Sequence, residues 1–143
     1  MKYQSTITEE EINLLPIKSF DGDIYLIDTH EKLEIAIPWI REEKVLGFDT
    51  EARPSFKKGK NNPIALLQLA TSRKAFLFRL NKIGFPAALK RFCEDESYHK
   101  IGLALKDDLI GLQKISAFEP ASFTDLQDIA KDLYIAHNGL KKL

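Results

Sequence analysis

Within Val45-Leu46-Gly47-Phe48-Asp49-Thr50-Glu51, an apolar run ends in two carboxylates one residue apart. Read as a buried strand, this stretch delivers both acids to the edge of a core. Side chains alternate faces along a strand, so Asp49 and Glu51 point the same way, with Cα atoms roughly 7 Å apart. Two hard oxygen donors at one strand end suit Mg²⁺ or Mn²⁺. Two solvated acids on a surface strand end would give the same pattern, so a further ligand is needed to separate the readings. Leu105-Lys106-Asp107-Asp108-Leu109-Ile110-Gly111-Leu112-Gln113-Lys114-Ile115 supplies one. Helical periodicity places Asp108 with Leu105, Leu112 and Ile115, while Asp107 falls with Gly111 and Lys114 toward water. An inward carboxylate is costly unless a cation or hydrogen bonds satisfy it, although a place in the first helical turn eases the cost. The metal-ligand reading of Asp108 is the one adopted, because Asp49 and Glu51 need a partner.

The surrounding pattern provides the frame for these three acids. Thr8 with Glu9, Glu10 and Glu11 reads as an N-cap and acidic first turn of a short helix closed by Pro16. Ile24–Ile27 is a strand, and Asp28 or Thr29 caps a helix whose Leu33, Ile35, Ile37, Trp39 and Ile40 face a sheet. The carboxylate strand follows directly. Residues 53–63 form a loop with two prolines, a glycine and four cationic side chains. Its Lys and Arg residues fit a solvated surface and a phosphate guide equally well, and its Phe56 could stack on a base or pin the loop to the core, of which pinning is the reading adopted. Ile64–Ala70 and Ala75–Phe78, joined by four polar residues, make a hairpin, so three consecutive strands form a meander. Gln68 in that apolar run is read as a satisfied core amide. A helix through Phe85, Leu89 and Phe92 and a strand at 98–103 then imply a parallel addition to the sheet. His99 is read as a residue of the sheet edge. Ser122–Asp125 caps a further helix, and Gly139–Leu143 resembles the first turn of another.

Composition narrows the classes. At 143 residues and 44% hydrophobic, the chain can bury one core. Lys+Arg and Asp+Glu are balanced at 21 each, which argues against binding duplex nucleic acid by charge alone. A nuclease needing clustered acids and local basic contacts is untouched by that argument. The single cysteine, Cys93, excludes an intrachain disulfide and a thiolate metal cluster. No stretch approaches the ~20 apolar residues of a membrane span, so a cytoplasmic protein without membrane contact is the default expectation.

The order of these segments resembles the ribonuclease D-like branch of the Asp-Glu-Asp-Asp 3′–5′ exonucleases, which includes the exonuclease domain of the Werner-syndrome helicase. Phe48-Asp49-Thr50-Glu51 stands as the first motif, and Lys100-Ile101-Gly102-Leu103-Ala104-Leu105-Lys106-Asp107-Asp108-Leu109 as the second, with Asp108 at its aspartate. Pro63–Ala70, Phe123–Asp128 and Gly139–Leu143 are similar to further family segments, so the likeness spans about residues 22 to 143.

The resemblance implies a ribonuclease H-like α/β fold, in which an antiparallel three-strand meander is followed by parallel strands and flanked by helices. It implies 3′–5′ hydrolysis of a nucleic acid with a free, single-stranded or frayed 3′ end, by a two-metal mechanism using Mg²⁺ or Mn²⁺. Asp49 would bridge both ions, Glu51 would bind the ion on the nucleophile side, and Asp108 the other. Thr50, Ala52 and Lys106, beside those acids, are candidates for substrate contact. The family's third motif, a Tyr or His four residues before a last Asp, has no counterpart: His137 is followed by Lys141. The expectation is a single exonuclease-like domain over 1–143, shortened before its final helices and therefore weak or inactive. A non-catalytic relative that binds nucleic acid or protein on the same fold is the alternative. DNA or RNA preference and oligomeric state are left open.

Overall fold

A computed structural model describes residues 3–143. Its centre is the expected meander: β2 (Val45–Ala52), β3 (Ile64–Ala70) and β4 (Lys74–Arg79) pair antiparallel in sequence. β5 (His99–Gly102) joins β2 in parallel, and β6 (Phe123–Asp125) joins β5 in parallel. β1 (Asp23–Ile27) takes the far edge, parallel to β4. Among the described residues this gives one six-stranded sheet in the order β1-β4-β3-β2-β5-β6. The fold class read from the sequence therefore holds: a mixed sheet with flanking helices.

Alternation sorts the strand residues onto two faces. Leu46 and Phe48 of β2, Leu67 and Leu69 of β3, and Phe76 and Phe78 of β4 are buried in one cluster. Helices α2 (His30–Ile40), α4 (Ala87–Glu94) and α5 (Leu105–Ile115) add Leu33, Ala36, Ile40, Leu89, Phe92, Leu105 and Leu112 to it. Cys93 is buried among them as expected, and burial pushes its thiol up to about 12. The opposite face is covered more thinly. There Leu126 of α6 (Leu126–Asp132) and Leu140 border a cavity of about 380 Å³ with Gly47, Asp49 and Gln68. The 139–143 turn that carries Leu140 is tied back to α1 (Glu9–Asn13), where Lys141 and Lys142 approach Glu9 at 2.5 and 3.3 Å.

Three local expectations change. The buried stripe of α2 is Leu33, Ala36 and Ile40, whereas Ile35 is 58% exposed. Spacings of three and four residues select that stripe, and Ile35 lies off it. A short helix, α3 (Leu80–Ile83), precedes Gly84, whose φ of 70° ends it. Ser122–Asp125 is more than a helix cap: Phe123–Asp125 is the strand β6, which pairs with Lys100–Gly102 before Asp125 caps α6.

Candidate active site

β2 divides the acids exactly as strand geometry demands. Asp49 and Glu51 are both exposed on the thinly covered face, and the pairing register shifts between Glu51 and Ala52. A bulge at a strand end re-aims the side chains beside it. Gln68 lies directly opposite Asp49 on β3 and is half-buried, on the Asp49 face and not in the core where the sequence placed it. Thr50 points to the other face, and its hydroxyl donates to Asp108 Oδ1. Asp108 is thus delivered to the end of β2 by α5, bonded to the residue that lies between the two strand acids in sequence.

The start of α5 is fixed by contacts that periodicity alone does not reveal. A Cβ on Gly102 would lie 2.6 Å from the Phe48 carbonyl oxygen and 2.3 Å from Leu105 Cδ2, so only glycine lets β5 pass beneath both. Ala104 then adopts a left-handed conformation, φ 54°. Its N–H and that of Leu105 donate to the Asp125 carboxylate at 3.0 and 2.9 Å, and the Gln127 N–H donates to it at 2.9 Å. Burial works to raise the Asp125 pKa, but these three backbone donors outweigh it and hold the carboxyl below its ordinary range. Asp125 therefore anchors the N-termini of both α5 and α6. The sequence showed it only as a helix cap, because its second task depends on β6 lying beside β5.

Asp108 has the opposite electrostatics. Burial raises its pKa, the Thr50 hydroxyl works against that, and the like charge of Asp49 raises it further. Two carboxylates close enough to repel, with hard oxygen donors and one of them half-buried, fit a divalent cation in kind and in charge. Among the described residues no three His, Cys, Asp or Glu side chains converge on one point. The structure brings Asp49 and Asp108 together electrostatically, and Glu51 remains beside Asp49 on the open strand end.

On the α5 side of the strand end opens a cleft of about 960 Å³, walled by the 53–63 loop and by α5. Thr50, Ala52 and Asp108 line it, so two of the three expected substrate-contact positions border this space; Lys106 is exposed and lies outside it. Asp107 and Lys114 face the open cleft, in keeping with their expected contact with water, and Gly111 lets α5 approach Ile64. Phe56 is 98% exposed, so it does not anchor the loop. The Asn62 amide does that instead, donating to the carbonyls of Arg53 and Pro54 at 2.9 and 3.2 Å.

Residues 24–143 match the family model described as 3′–5′ exonuclease. The bifunctional 3′–5′ exonuclease/ATP-dependent helicase WRN of Mus musculus is 34% identical over 90 residues, covering 62% of this chain and 6% of that protein. The exonuclease 3′–5′ domain-containing protein 2 of Drosophila melanogaster is 36% identical over 102 residues, covering 70% of this chain and 17% of that protein. The chain thus spans less than a fifth of the length of either relative. Among solved structures, the Trypanosoma brucei RNase D complex with RNA U12 shares the fold, with a TM-score of 0.68 at 23% identity over 76% of this chain and 39% of that one. The EXD2 exonuclease domain soaked in Mg and GMP gives a TM-score of 0.67 at 25% identity, over 78% of this chain and 60% of that one.

Proposed function

Because the chain belongs to the 3′–5′ exonuclease family, we propose that Asp49, Glu51 and Asp108 are its metal-holding carboxylates and that it cleaves phosphodiester bonds from the 3′ end of a nucleic-acid strand. The observation that carries this reading is Asp108: a half-buried carboxylate, raised by burial and by Asp49, at the end of the strand that presents Asp49 and Glu51. Such a group gains most from a cation shared with its neighbour.

Asp49 shares a strand face with Glu51 and is the strand acid whose charge acts on Asp108, so it is the ligand we assign to be shared. Thr50 orients Asp108 by hydrogen bonding, so its role is positioning. Gln68, opposite Asp49, has an amide suited to hold either that carboxylate or a substrate oxygen. Two bound Mg²⁺ or Mn²⁺ ions would supply an activated water and neutralise charge on the leaving 3′ oxygen. The metal- and GMP-soaked EXD2 domain and the RNA-bound RNase D support both ligand classes.

The alternative, a non-catalytic nucleic-acid or protein binding module, is favoured by the acids' failure to converge as a group of three among the described residues. Digestion of 3′- and 5′-labelled single-stranded DNA and RNA with added Mn²⁺ separates the two. Stepwise shortening from the 3′ end, abolished by Asp49→Asn, is the expected result. A folded chain that binds no Mn²⁺ and shortens neither polymer would overturn the exonuclease reading in favour of the module.

A further inference from the structure

We propose that the cleft between the 53–63 loop and α5 is a binding track for single-stranded nucleic acid, with phosphates on Arg53, Lys57, Lys60 and Lys114 and a base stacked on Phe56. The choice of polymer rests on the exonuclease reading; the track itself rests on the following observations.

The protein carries no net charge, yet this one space gathers four cations against two acids, Asp107 and Asp108. Among the described residues none of those four cations is in an ion pair, whereas Lys74 and Lys131 elsewhere are held by Glu42 and Asp128. Unpaired cations facing a common cleft form a positive field that a string of phosphates can follow. The loop is built to hold them in place. Asn62 clamps its two stems, the Lys60 N–H donates to the Lys57 carbonyl at 3.2 Å, and Gly59 takes the left-handed φ of 78° that the turn needs. Lys57 and Lys60 are thereby presented from one tight turn.

Phe56 supplies the second signature. Its chain neighbours Ser55 and Lys57 line the cleft, while its own ring is 98% exposed. A fully solvated aromatic among cations is poorly explained by folding, which gains nothing from it, and is suited to stacking on an unpaired base. A duplex keeps its bases stacked internally and offers that ring no face. Asp108 lines the same space, whereas Asp49 and Glu51 lie on the other face of β2, so a strand in the track would pass Asp108 at the strand end.

The test is binding of a 5′-labelled single-stranded oligonucleotide, in DNA and RNA arms, followed by fluorescence anisotropy in EDTA across a salt series. Phe56→Ala is expected to weaken binding about 5- to 150-fold, the range for losing one stacked base. The double variant Lys57→Ala/Lys60→Ala is expected to reduce the slope of log K against log salt by about 0.7 per charge, while Lys18→Ala leaves affinity unchanged. Either polymer showing this pattern supports the track. Unchanged affinity and slope in both variants, with folding intact by circular dichroism, would overturn it, as would equal losses with Lys18→Ala. Since no turnover occurs in EDTA, a chain that binds this way but neither binds Mn²⁺ nor digests would contradict the exonuclease reading and leave the track standing.

Discussion

Lys100 and Asp108, eight positions apart, are charged residues taken wholly and partly out of water, and the fold treats them in opposite ways. Lys100, on β5, is 0% exposed. Its Nζ donates to the carbonyls of Asp95 and Phe92 at 2.9 and 3.3 Å, at the C-terminal end of α4, and lies 5.5 and 5.1 Å from the ring centres of Phe92 and Phe123. Carbonyls at a helix C-terminus and aromatic faces are what an ammonium prefers. Asp108 receives one hydroxyl, from Thr50, and faces the like charge of Asp49. A buried charge that has its partners belongs to the framework. One whose neighbour repels it is relieved by a cation, which is what the proposed metal site requires of Asp108.

Stability measurements should separate the two most strongly at Lys100. Lys100→Ala removes a fully buried stem and two carbonyl partners, and should cost about 3–5 kcal/mol in denaturant unfolding. Lys100→Met refills the volume but leaves both carbonyls without a donor, so about 1–3 kcal/mol is expected. Wild-type stability in both variants would break the contrast, because Lys100 would then not be a framework residue.

Next in size is Gly102→Ala, two residues along the same strand. The added methyl meets the Phe48 carbonyl and Leu105, and overpacking of this kind costs about 1–3 kcal/mol. Because Leu105 begins α5, the same change should also displace Asp108. A loss of the Mn²⁺-induced rise in Tm, beyond what Lys100→Met causes at comparable stability, would show that Gly102 positions the site and not the core alone.

The sequence displayed these two charges unequally for a physical reason. Asp108 could be found because helical spacing put a carboxylate on an apolar face, and alternation along Val45–Glu51 put Asp49 and Glu51 on one side. The meander was legible because long apolar runs separated by turn residues leave few other arrangements. Lys100 had no such signal: a lysine at a strand start reads as solvated, and its partners come from α4 and β6. β6 itself is three residues long, too short to show alternation, so Asp125 could be read only as a cap. Phe56 fits base stacking and pinning of the loop alike in sequence, because one residue in a loop carries no periodicity to decide between them, and its exposure removes the favoured pinning.

A smaller effect is expected from Asp108→Asn. Removing the like charge beside Asp49 should leave stability without metal unchanged or raise it by a few tenths of a kcal/mol, the scale of partly exposed charge pairs. The same variant should abolish most of the Tm gain from Mn²⁺. Clear destabilisation by Asp108→Asn would place Asp108 with Lys100 as a framework group, and the contrast would fail.

The finest test uses pH. The Asp108 pKa is raised above its ordinary 3.8, so the folded state is penalised for the charged form. That penalty is absent below the ordinary value and complete above the raised one, so stability without metal should fall as pH climbs through that interval. Asp95, whose carbonyl serves Lys100, behaves oppositely. Hydrogen bonds from Ser97, then Arg41, hold its carboxyl down to about 2, so its contribution is present above the ordinary value and lost as pH falls toward 2. The two groups therefore act on opposite sides of pH 3.8, and subtracting the Asp108→Asn curve of Tm against pH from the wild-type curve isolates the upper side. Without metal that difference should decline with rising pH. With Mn²⁺ it should rise, because a cation favours the carboxylate that Asp49 disfavours. A difference curve that is flat without Mn²⁺ would mean that Asp49 and burial do not act on Asp108, and one that Mn²⁺ leaves unchanged would remove Asp108 from the metal-holding set.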